Sequence, residues 1–193
     1  QYETLQAAVD AVQGSGTIEL TSSIALSDQV TIDSGKTIIL DMNGETLSIG
    51  FSDSSKNLIV NNGTLTITGD GTFDATEATS YKGFINNYGT LTVENGTFQI
   101  ADKAMTVHLR NQDGGKAVIN GGTFSGGATI VRSFEGSNTT ITGGSFTNSV
   151  YPAVDVNGET LITGGIFTNT SCSRCDSQNW GYTVRSGVDR ISP

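Results

Sequence analysis

Five stretches of the chain share one pattern and decide its fold. They are TLTITGDGTF (64–73), TLTVENGTF (90–98), KAVINGGTF (116–124), TTITGGSF (139–146) and TLITGGIF (160–167). Their closing phenylalanines are separated by 25, 26, 22 and 21 residues. The aliphatic residues of each stretch keep nearly the same spacing, at Ile67, Val93, Ile119, Ile141 and Ile162. Two columns that hold one register along the chain indicate a structural repeat.

Within each stretch, apolar and polar residues alternate, which is the period of a β-strand. Leu65 and Ile67 are apolar, whereas their neighbours are threonines. Gly-Asp-Gly, Asn-Gly or Gly-Gly then interrupts the alternation and predicts a sharp turn. A repeat of about 23 residues without a helical pattern favours one coil of a parallel β-solenoid, in which each coil buries its apolar face against its neighbours. We predict a further strand of each coil after the phenylalanine, at Phe84–Asn87, Thr106–Arg110, Thr129–Ser133 and Ala153–Val156.

Both ends of such a solenoid need covering, because an open sheet edge aggregates. Apolar residues at i, i+3, i+4 and i+7 predict an amphipathic helix from about Leu5 to Gln13. Thr4 is expected to cap its start and Gly14 its end. The resulting division is an N-terminal capping helix (1–16), about seven coils (17–170) and a C-terminal cap (171–193).

The stretch TLQAAVDAVQGSGTIELTSSIALSDQVTIDSGKTIILDMNGETLS (4–48), followed by GTLTI and GGTF coils, resembles a known group of domains. These are the pectate-lyase-like, right-handed parallel β-helix domains of Gram-positive bacterial surface proteins. The closing GYTVRSG (181–187) also resembles the usual end of such domains. The resemblance implies an all-β, single-stranded right-handed parallel β-helix in an exported, modular protein. It also implies adhesion or glycan binding.

Charge and composition exclude several classes of partner. The formal net charge of −9 disfavours nucleic acid and anionic membranes, since both need clustered Lys and Arg. No apolar run approaches the roughly 18 residues that a membrane span requires, so we expect no membrane insertion. The chain begins at Gln1 rather than Met, and we interpret it as a mature or excised part of an extracellular or cell-surface protein. We expect no cofactor.

The third strand of each coil carries the candidate binding face. With Val107 and Leu109 pointing inward, His108 and Arg110 are expected to point outward. The other members of the face are Asn86, Arg132 and Asp155, with the aromatic residues Tyr88, Phe134 and Tyr151 close to them in sequence. Planar polar groups beside aromatic rings are typical of a sugar-binding surface. The alternative is an ordinary exposed sheet, and a shift of one residue would turn Arg132 inward.

Catalysis is the competing hypothesis for this fold. Polysaccharide lyases of this shape hold Ca²⁺ with clustered acids, and Ca²⁺ requires several converging oxygen ligands. The columns after the inner aliphatic residue and after the phenylalanine each contain one acid in five positions, so no calcium site is expected. Inverting hydrolysis would need two carboxyl groups about 6.5–9.5 Å apart, for which Asp70 or Asp74 with Glu94 is the candidate pair.

Cys172 and Cys175 form a Cys-x-x-Cys motif in the C-terminal cap. Zinc would need two more Cys or His ligands, and only His108 remains, so we predict no metal site. A local disulfide that pins the cap is expected, with free thiols or a link to a second chain as alternatives.

We therefore interpret the chain as a non-enzymatic module of a bacterial surface protein that serves adhesion by binding a glycan or a host surface. The alternatives are a structural rod, filament or decoration subunit that self-associates, and a polysaccharide lyase or hydrolase.

Overall fold

The protein forms an all-β parallel solenoid of about six turns with one short helix, which confirms the predicted fold class and lies close to the seven coils expected. The structure is a computed structural model, and it describes residues 1–53, 55–77, 83–101, 106–147 and 150–168, together with the backbone of 188–191.

Three parallel sheets run along the solenoid, and the described strands are numbered in chain order. The first sheet contains β1 (Ser15–Glu19), β4 (Thr37–Asp41), β7 (Thr64–Thr68), β10 (Thr90–Val93), β13 (Lys116–Ile119), β16 (Asn138–Ile141), β19 (Glu159–Ile162) and β21 (Val188–Ile191). The second contains β2 (Ile24–Leu26), β5 (Thr46–Ile49), β8 (Thr72–Ala75), β11 (Thr97–Ile100), β14 (Thr123–Ser125), β17 (Ser145–Thr147) and β20 (Ile166–Thr168). The third contains β3 (Val30–Ile32), β6 (Ile59–Asn61), β9 (Ile85–Asn87), β12 (Val107–Asn111), β15 (Thr129–Ser133) and β18 (Val154–Val156).

The predicted phenylalanine column is an internal stack of rings. Its members are in register in the second sheet and lie at Phe73, Phe98, Phe124, Phe146 and Phe167. Successive ring centroids are 4.6, 4.6, 5.1 and 4.6 Å apart, with interplanar angles of 10° or less. This distance is close to the spacing of neighbouring strands, so the coil repeat itself sets the stacking. The aliphatic column from Ile67 to Ile162 is buried in the same core.

The turn between the first and second sheets depends on glycine. Gly122 and Gly144 adopt φ values of 97° and 98°, which L residues rarely adopt. A Cβ atom at Gly122 would also lie 3.1 Å from the carbonyl oxygen of Gly96 in the preceding coil. The paired glycines therefore allow both the sharp bend and the close stacking of one turn on the next.

A ladder of buried amide side chains closes three successive coils at the end of the third sheet. Asn61, Asn87 and Asn111 are in register and fully buried. Asn61 Nδ2 donates to Asn87 Oδ1 at 2.7 Å, and Asn87 Nδ2 donates to Asn111 Oδ1 at 2.8 Å. The same amides donate to backbone carbonyls in the turns, as Asn87 does to Lys116 O at 3.0 Å. Because the buried amides bond to one another and to the turns, the ladder fixes the corner without leaving these polar groups unpaired.

The ladder continues into the following coils through hydroxyl groups. Asn111 Nδ2 donates to Thr139 Oγ1 at 2.9 Å, and that oxygen lies 2.6 Å from Ser133 Oγ. Sequence analysis did not find this ladder, because it gave no role in the core to Asn61, Asn87 or Asn111. Its sequence signal is an asparagine that recurs after 26 and 24 residues, in step with the repeat.

The N-terminal helix α1 (Leu5–Ala11) packs Leu5, Ala8 and Val9 onto the first coil. Thr4 caps its start as predicted, accepting a hydrogen bond from the amide of Ala7 at 3.1 Å. The helix ends two residues before the predicted end, and Val12 rather than Gly14 is its C-cap. Gly14, with φ of 78°, turns the chain into β1 instead.

Two side chains fasten this cap. Gln6 Oε1 accepts from the amide of Thr31 at 2.7 Å, and Gln6 Nε2 donates to the carbonyl of Thr31 at 3.1 Å. The Gln6 amide thus satisfies both backbone groups of a residue in the edge strand β3. Lys36 Nζ donates to the carbonyls of Val9 and Val12, each at 2.8 Å, at the negative end of the helix. The predicted C-terminal cap lies largely outside the described residues.

Candidate functional site

The outward residues of the third sheet form a column across four coils. Asn86 pairs with Arg110, Arg110 with Arg132, and Arg132 with Asp155. Arg132 is therefore aligned with Arg110, which resolves the one-residue ambiguity in its direction. Four coils span three strand spacings, or roughly 14 Å along the axis.

A second column lies beside the first, two residues further along each strand. Its members are Tyr88, Gln112, Phe134 and Asn157. Backbone bonds keep this column in step, since Gln112 N donates to Asn87 O, and Phe134 N donates to Asn111 O, each at 2.9 Å. Together the two columns form what we call the third-sheet strip: Asn86, Tyr88, Arg110, Gln112, Arg132, Phe134, Asp155 and Asn157. Sequence reasoning missed Gln112 and Asn157, because only the register shows that they continue the column of Tyr88.

Two guanidinium groups of the strip share one aromatic ring. The Arg110 Cζ atom lies 5.3 Å from the centre of the Phe134 ring, and the Arg132 Cζ atom lies 5.1 Å from it. Arg132 Nε also lies 3.4 Å from Asp155 Oδ2. That contact is an ion pair without hydrogen-bond geometry, since the buried Nε atom makes no hydrogen bond. Burial and, secondly, the neighbouring charge of Arg132 lower the pKa of Arg110, whereas Tyr88 raises it.

The lower end of the strip is organised by neutral polar groups. Asn86 Nδ2 donates to Tyr88 Oη at 3.2 Å, and Gln112 Nε2 donates to Asn86 Oδ1 at 2.5 Å. Tyr88 is 48% exposed and is one of the large hydrophobic side chains that the described surface presents to solvent. Asp155, at the upper end, is less accessible than expected, with 13% of its side chain exposed. The strip therefore presents aromatic surface, amides and guanidinium groups, with its carboxylate partly covered.

The prediction that His108 belongs to this face is wrong. His108 is 1% exposed and lies inside the solenoid, with its ring centroid 5.4 Å from that of Phe84 and 6.0 Å from that of Phe124. Val107, His108 and Leu109 are all buried, so the alternation of inward and outward residues fails at the start of β12. In the next coil the amides of Ile130 and Val131 both bond to Ala153 O, so alternation fails at the same point there too.

Burial lowers the pKa of His108 to about 4. Nε2 lies 3.2 Å from the carbonyl oxygen of Gly126, and Nδ1 has no hydrogen-bond partner. The neutral ring donates from Nε2, whereas a protonated ring would carry a second N–H without an acceptor. His108 is thus a neutral core residue and does not lie on the third-sheet strip.

The other predicted residues divide as follows. Tyr151 lies four residues before Asp155, at the entrance to β18, where its amide donates to Ala128 O at 2.8 Å. It is therefore displaced along the sheet from the two columns of the strip. Cys172 and Cys175 lie outside the described residues.

The candidate catalytic carboxylates brace turns. Asp70 Oδ1 accepts from Asn95 Nδ2 at 2.6 Å, and both oxygens of Glu94 accept from Asn120 Nδ2 at 3.1 Å. Asp74 Oδ1 accepts from the amide and the hydroxyl of Thr76 at 2.9 and 2.8 Å. Each carboxylate thus stabilises a corner through a neighbour in its own coil or in the next one.

The N-terminal end contains a cleft of about 580 Å³ between residues 1–5 and the first coil, lined in part by Tyr2, Leu5, Ile18 and Ile24. Among the described residues, no group of three or more His, Cys, Asp or Glu side chains is placed to hold a metal ion. The described part of the chain also contains no helix of the length and apolarity needed to cross a membrane.

Comparisons with protein families, with curated proteins and with solved structures gave no match.

Proposed function

We propose that the protein is a non-enzymatic binding module of an extracellular bacterial surface protein, and that it holds a glycan along the third-sheet strip. The observation that carries this proposal is the alignment of Asn86, Arg110, Arg132 and Asp155 in one column, with Tyr88 and Phe134 beside them. Sugars are bound through apolar contact with aromatic rings and directional hydrogen bonds from planar polar groups. The resemblance to β-helix domains of Gram-positive surface proteins supports the same proposal.

Two further observations favour binding over the alternatives. The carboxylates Asp70, Asp74 and Glu94 accept hydrogen bonds that brace turns, which gives them a structural role. At the N-terminal end, α1 covers the first coil, and Gln6 satisfies the backbone of the edge residue Thr31. A covered end supports a discrete module rather than a subunit that stacks end to end into a filament.

A glycan array tests the proposal directly. The strip variant carries Asn86→Ala, Tyr88→Ala and Gln112→Ala, which remove neutral polar and aromatic groups from three of its positions. The control variant changes three outward residues of the second sheet, Gln99, Ser125 and Thr147, to Ala. We expect the wild type and the control to bind the same glycans and the strip variant to lose most of that binding.

Two results would overturn the proposal. Equal binding by the strip variant would place the glycan elsewhere, and the absence of wild-type binding to any glycan would remove the function itself. Thermal unfolding followed by circular dichroism confirms that both variants remain folded. The changed groups are on the surface, so each substitution is expected to alter stability by about 0.5 kcal/mol or less.

A further inference from the structure

The first sheet has an open edge at the N-terminal end of the solenoid. β1 is its terminal strand, and in the described part of the chain β1 pairs only with β4. On that paired side, Leu20 N donates to Asp41 O at 3.0 Å. Successive residues of a strand direct their backbone groups to opposite sides of it, so Thr17 and Glu19 direct their N–H and C=O groups away from β4. The edge therefore offers four backbone groups to a further strand.

The N-terminal cap covers only part of this end. α1 packs against β3, where Gln6 satisfies the backbone of the edge strand. Beside β1, by contrast, lies the cleft of about 580 Å³, which Tyr2 and Leu5 line from the cap and Ile18 and Glu19 line from β1. The cap thus opposes the stacking of a whole coil, while the cleft leaves room beside β1 for a single extended chain.

The two faces of the edge differ in chemistry and specify the side chains of a strand that pairs there. Ile18 points inward and lines the cleft together with Leu5 and Ala8. Glu19 is exposed on the outer face, in register with Asp41 of the next coil. Side chains alternate across a strand, so an added strand would place one set of side chains over Ile18 and the other beside Glu19. The inner set must then be apolar, whereas the outer set faces a carboxylate.

The charges at this end favour a cationic partner. The charged side chains that line the cleft are those of Glu3 and Glu19. Glu19 and Asp41 also place like charges on adjacent strands, which is unfavourable. A Lys or Arg above Glu19 offsets this repulsion, and the formal charge of −9 on the whole chain attracts a basic segment over a longer range.

We propose that the open edge of β1 docks an extended segment of a partner protein, in which apolar side chains alternate with Lys or Arg. The segment continues the parallel sheet by pairing with the backbone of Thr17 and Glu19, and its side-chain pattern supplies the specificity. Its apolar side chains fill the cleft over Ile18, and its cations lie beside Glu19. This site lies apart from the third-sheet strip, so it does not depend on the proposed glycan-binding function.

Fluorescence anisotropy with labelled synthetic peptides tests this site. The probe is a peptide of about eight residues in which Val and Lys alternate, which spans the edge at about 3.3 Å per residue. The comparison peptide has the same composition, with its Val and Lys residues in two separate blocks. Both peptides carry the same charge, but only the alternating one places apolar groups on one face and cations on the other. We expect it to bind more than tenfold more tightly than the block peptide.

Methylation of the peptide backbone tests the pairing itself. In this solenoid the inward residues of β1 direct their backbone groups to the following coil, as the inward Leu20 does towards Asp41. The inward Val residues of an added parallel strand therefore direct their N–H groups to β1, and the outward Lys residues direct theirs away from it. N-methylation of the Val residues should weaken binding more than tenfold, whereas N-methylation of the Lys residues should weaken it less than threefold.

Substitutions then assign the site on the protein. Glu19→Lys reverses the charge beside the added cations and should weaken the alternating peptide about tenfold. Glu159→Lys is the matched control, since Glu159 is an exposed carboxylate six strands further along the same sheet. Like Glu19, it accepts a hydrogen bond from an asparagine side chain. The control makes the same change in net charge and should alter affinity less than twofold.

Each outcome decides the inference. Absence of binding, equal binding of the alternating and block peptides, or equal losses in the Glu19 and Glu159 variants overturns it. Equal effects of the two methylation patterns, or a larger effect of the Lys pattern, also overturn it. Self-association of the protein alone in sedimentation velocity, abolished by Glu19→Lys, would assign the edge to a second copy and likewise overturn the proposal of a partner segment. The glycan array reports on the third sheet and is unaffected by any of these results.

Discussion

Replacing His108 with leucine should remove the part of the pH dependence of stability that arises from burying a neutral histidine. The ring is neutral in the fold because burial lowers its pKa from 6.5 to about 4, whereas in the unfolded chain it has its ordinary pKa. Below about pH 6.5 the unfolded state therefore binds a proton that the folded state does not bind. The associated stability is fully present above that pH and is lost progressively as pH falls towards about 4.

The size of the effect follows from the two pKa values. A shift of one pKa unit corresponds to about 1.4 kcal/mol, so the complete loss approaches roughly 3 kcal/mol. Between about pH 7.5 and about pH 5, His108 alone lowers the free energy of unfolding by about 2 kcal/mol. His108→Leu eliminates this part and leaves the contribution of the carboxylates unchanged, because the acids are common to both proteins.

Urea unfolding followed by far-UV circular dichroism at both pH values measures the difference. We expect the wild type to lose about 2 kcal/mol more than His108→Leu on going to the lower pH. Ile130→Val is the matched control, since it alters the neighbouring coil of the core and should cost about 0.5–1.5 kcal/mol equally at both pH values. Equal losses in the wild type and in His108→Leu would refute the assignment of a neutral, buried histidine.

The remaining predictions concern stability and use the same unfolding assay. Asn87→Ala should cost roughly 3–5 kcal/mol, because it removes one hydrogen bond from each of the buried amides above and below and also the bond to Lys116 O. Asn86→Ala should cost about 0.5 kcal/mol or less, and similar costs would contradict the ladder. Lys36→Met should cost about 1–2 kcal/mol through loss of its bonds to the helix carbonyls, and Lys116→Met almost nothing; an inert Lys36 would contradict the cap. Phe98→Leu should cost about 2–3 kcal/mol through two lost stacking contacts and a smaller side chain, and a neutral effect would contradict the ring stack.

The coil architecture could be predicted because the repeat appears in two sequence columns. Phe98 and Phe124 occupy the same place in successive turns. The phenylalanine column and the aliphatic column share one spacing along the sequence because successive coils stack in register. The start of the helix was also predictable, because Thr4 precedes an apolar face with helical spacing. These features depend on local sequence and on period, both of which a single chain displays.

The interior of the corners could not be predicted in the same way. His108 was expected outside because strict alternation was extended through the start of β12, where Val107, His108 and Leu109 are all buried. Asn87 was overlooked because a buried asparagine and a turn asparagine have the same sequence neighbours, and only the coil above and the coil below supply its partners. The pairing of Gln112 with Tyr88 and Phe134 likewise depends on coil lengths that differ from turn to turn.

The most direct test of the account is an amide-resolved NMR titration with the glycan that binds most tightly on the array. Binding along the strip predicts chemical-shift changes confined to amides near 86–88, 110–112, 132–134 and 155–157, which recur once per coil in the third sheet. Changes that cluster in the first or second sheet or in the N-terminal cleft, or an array without a bound glycan, would contradict it.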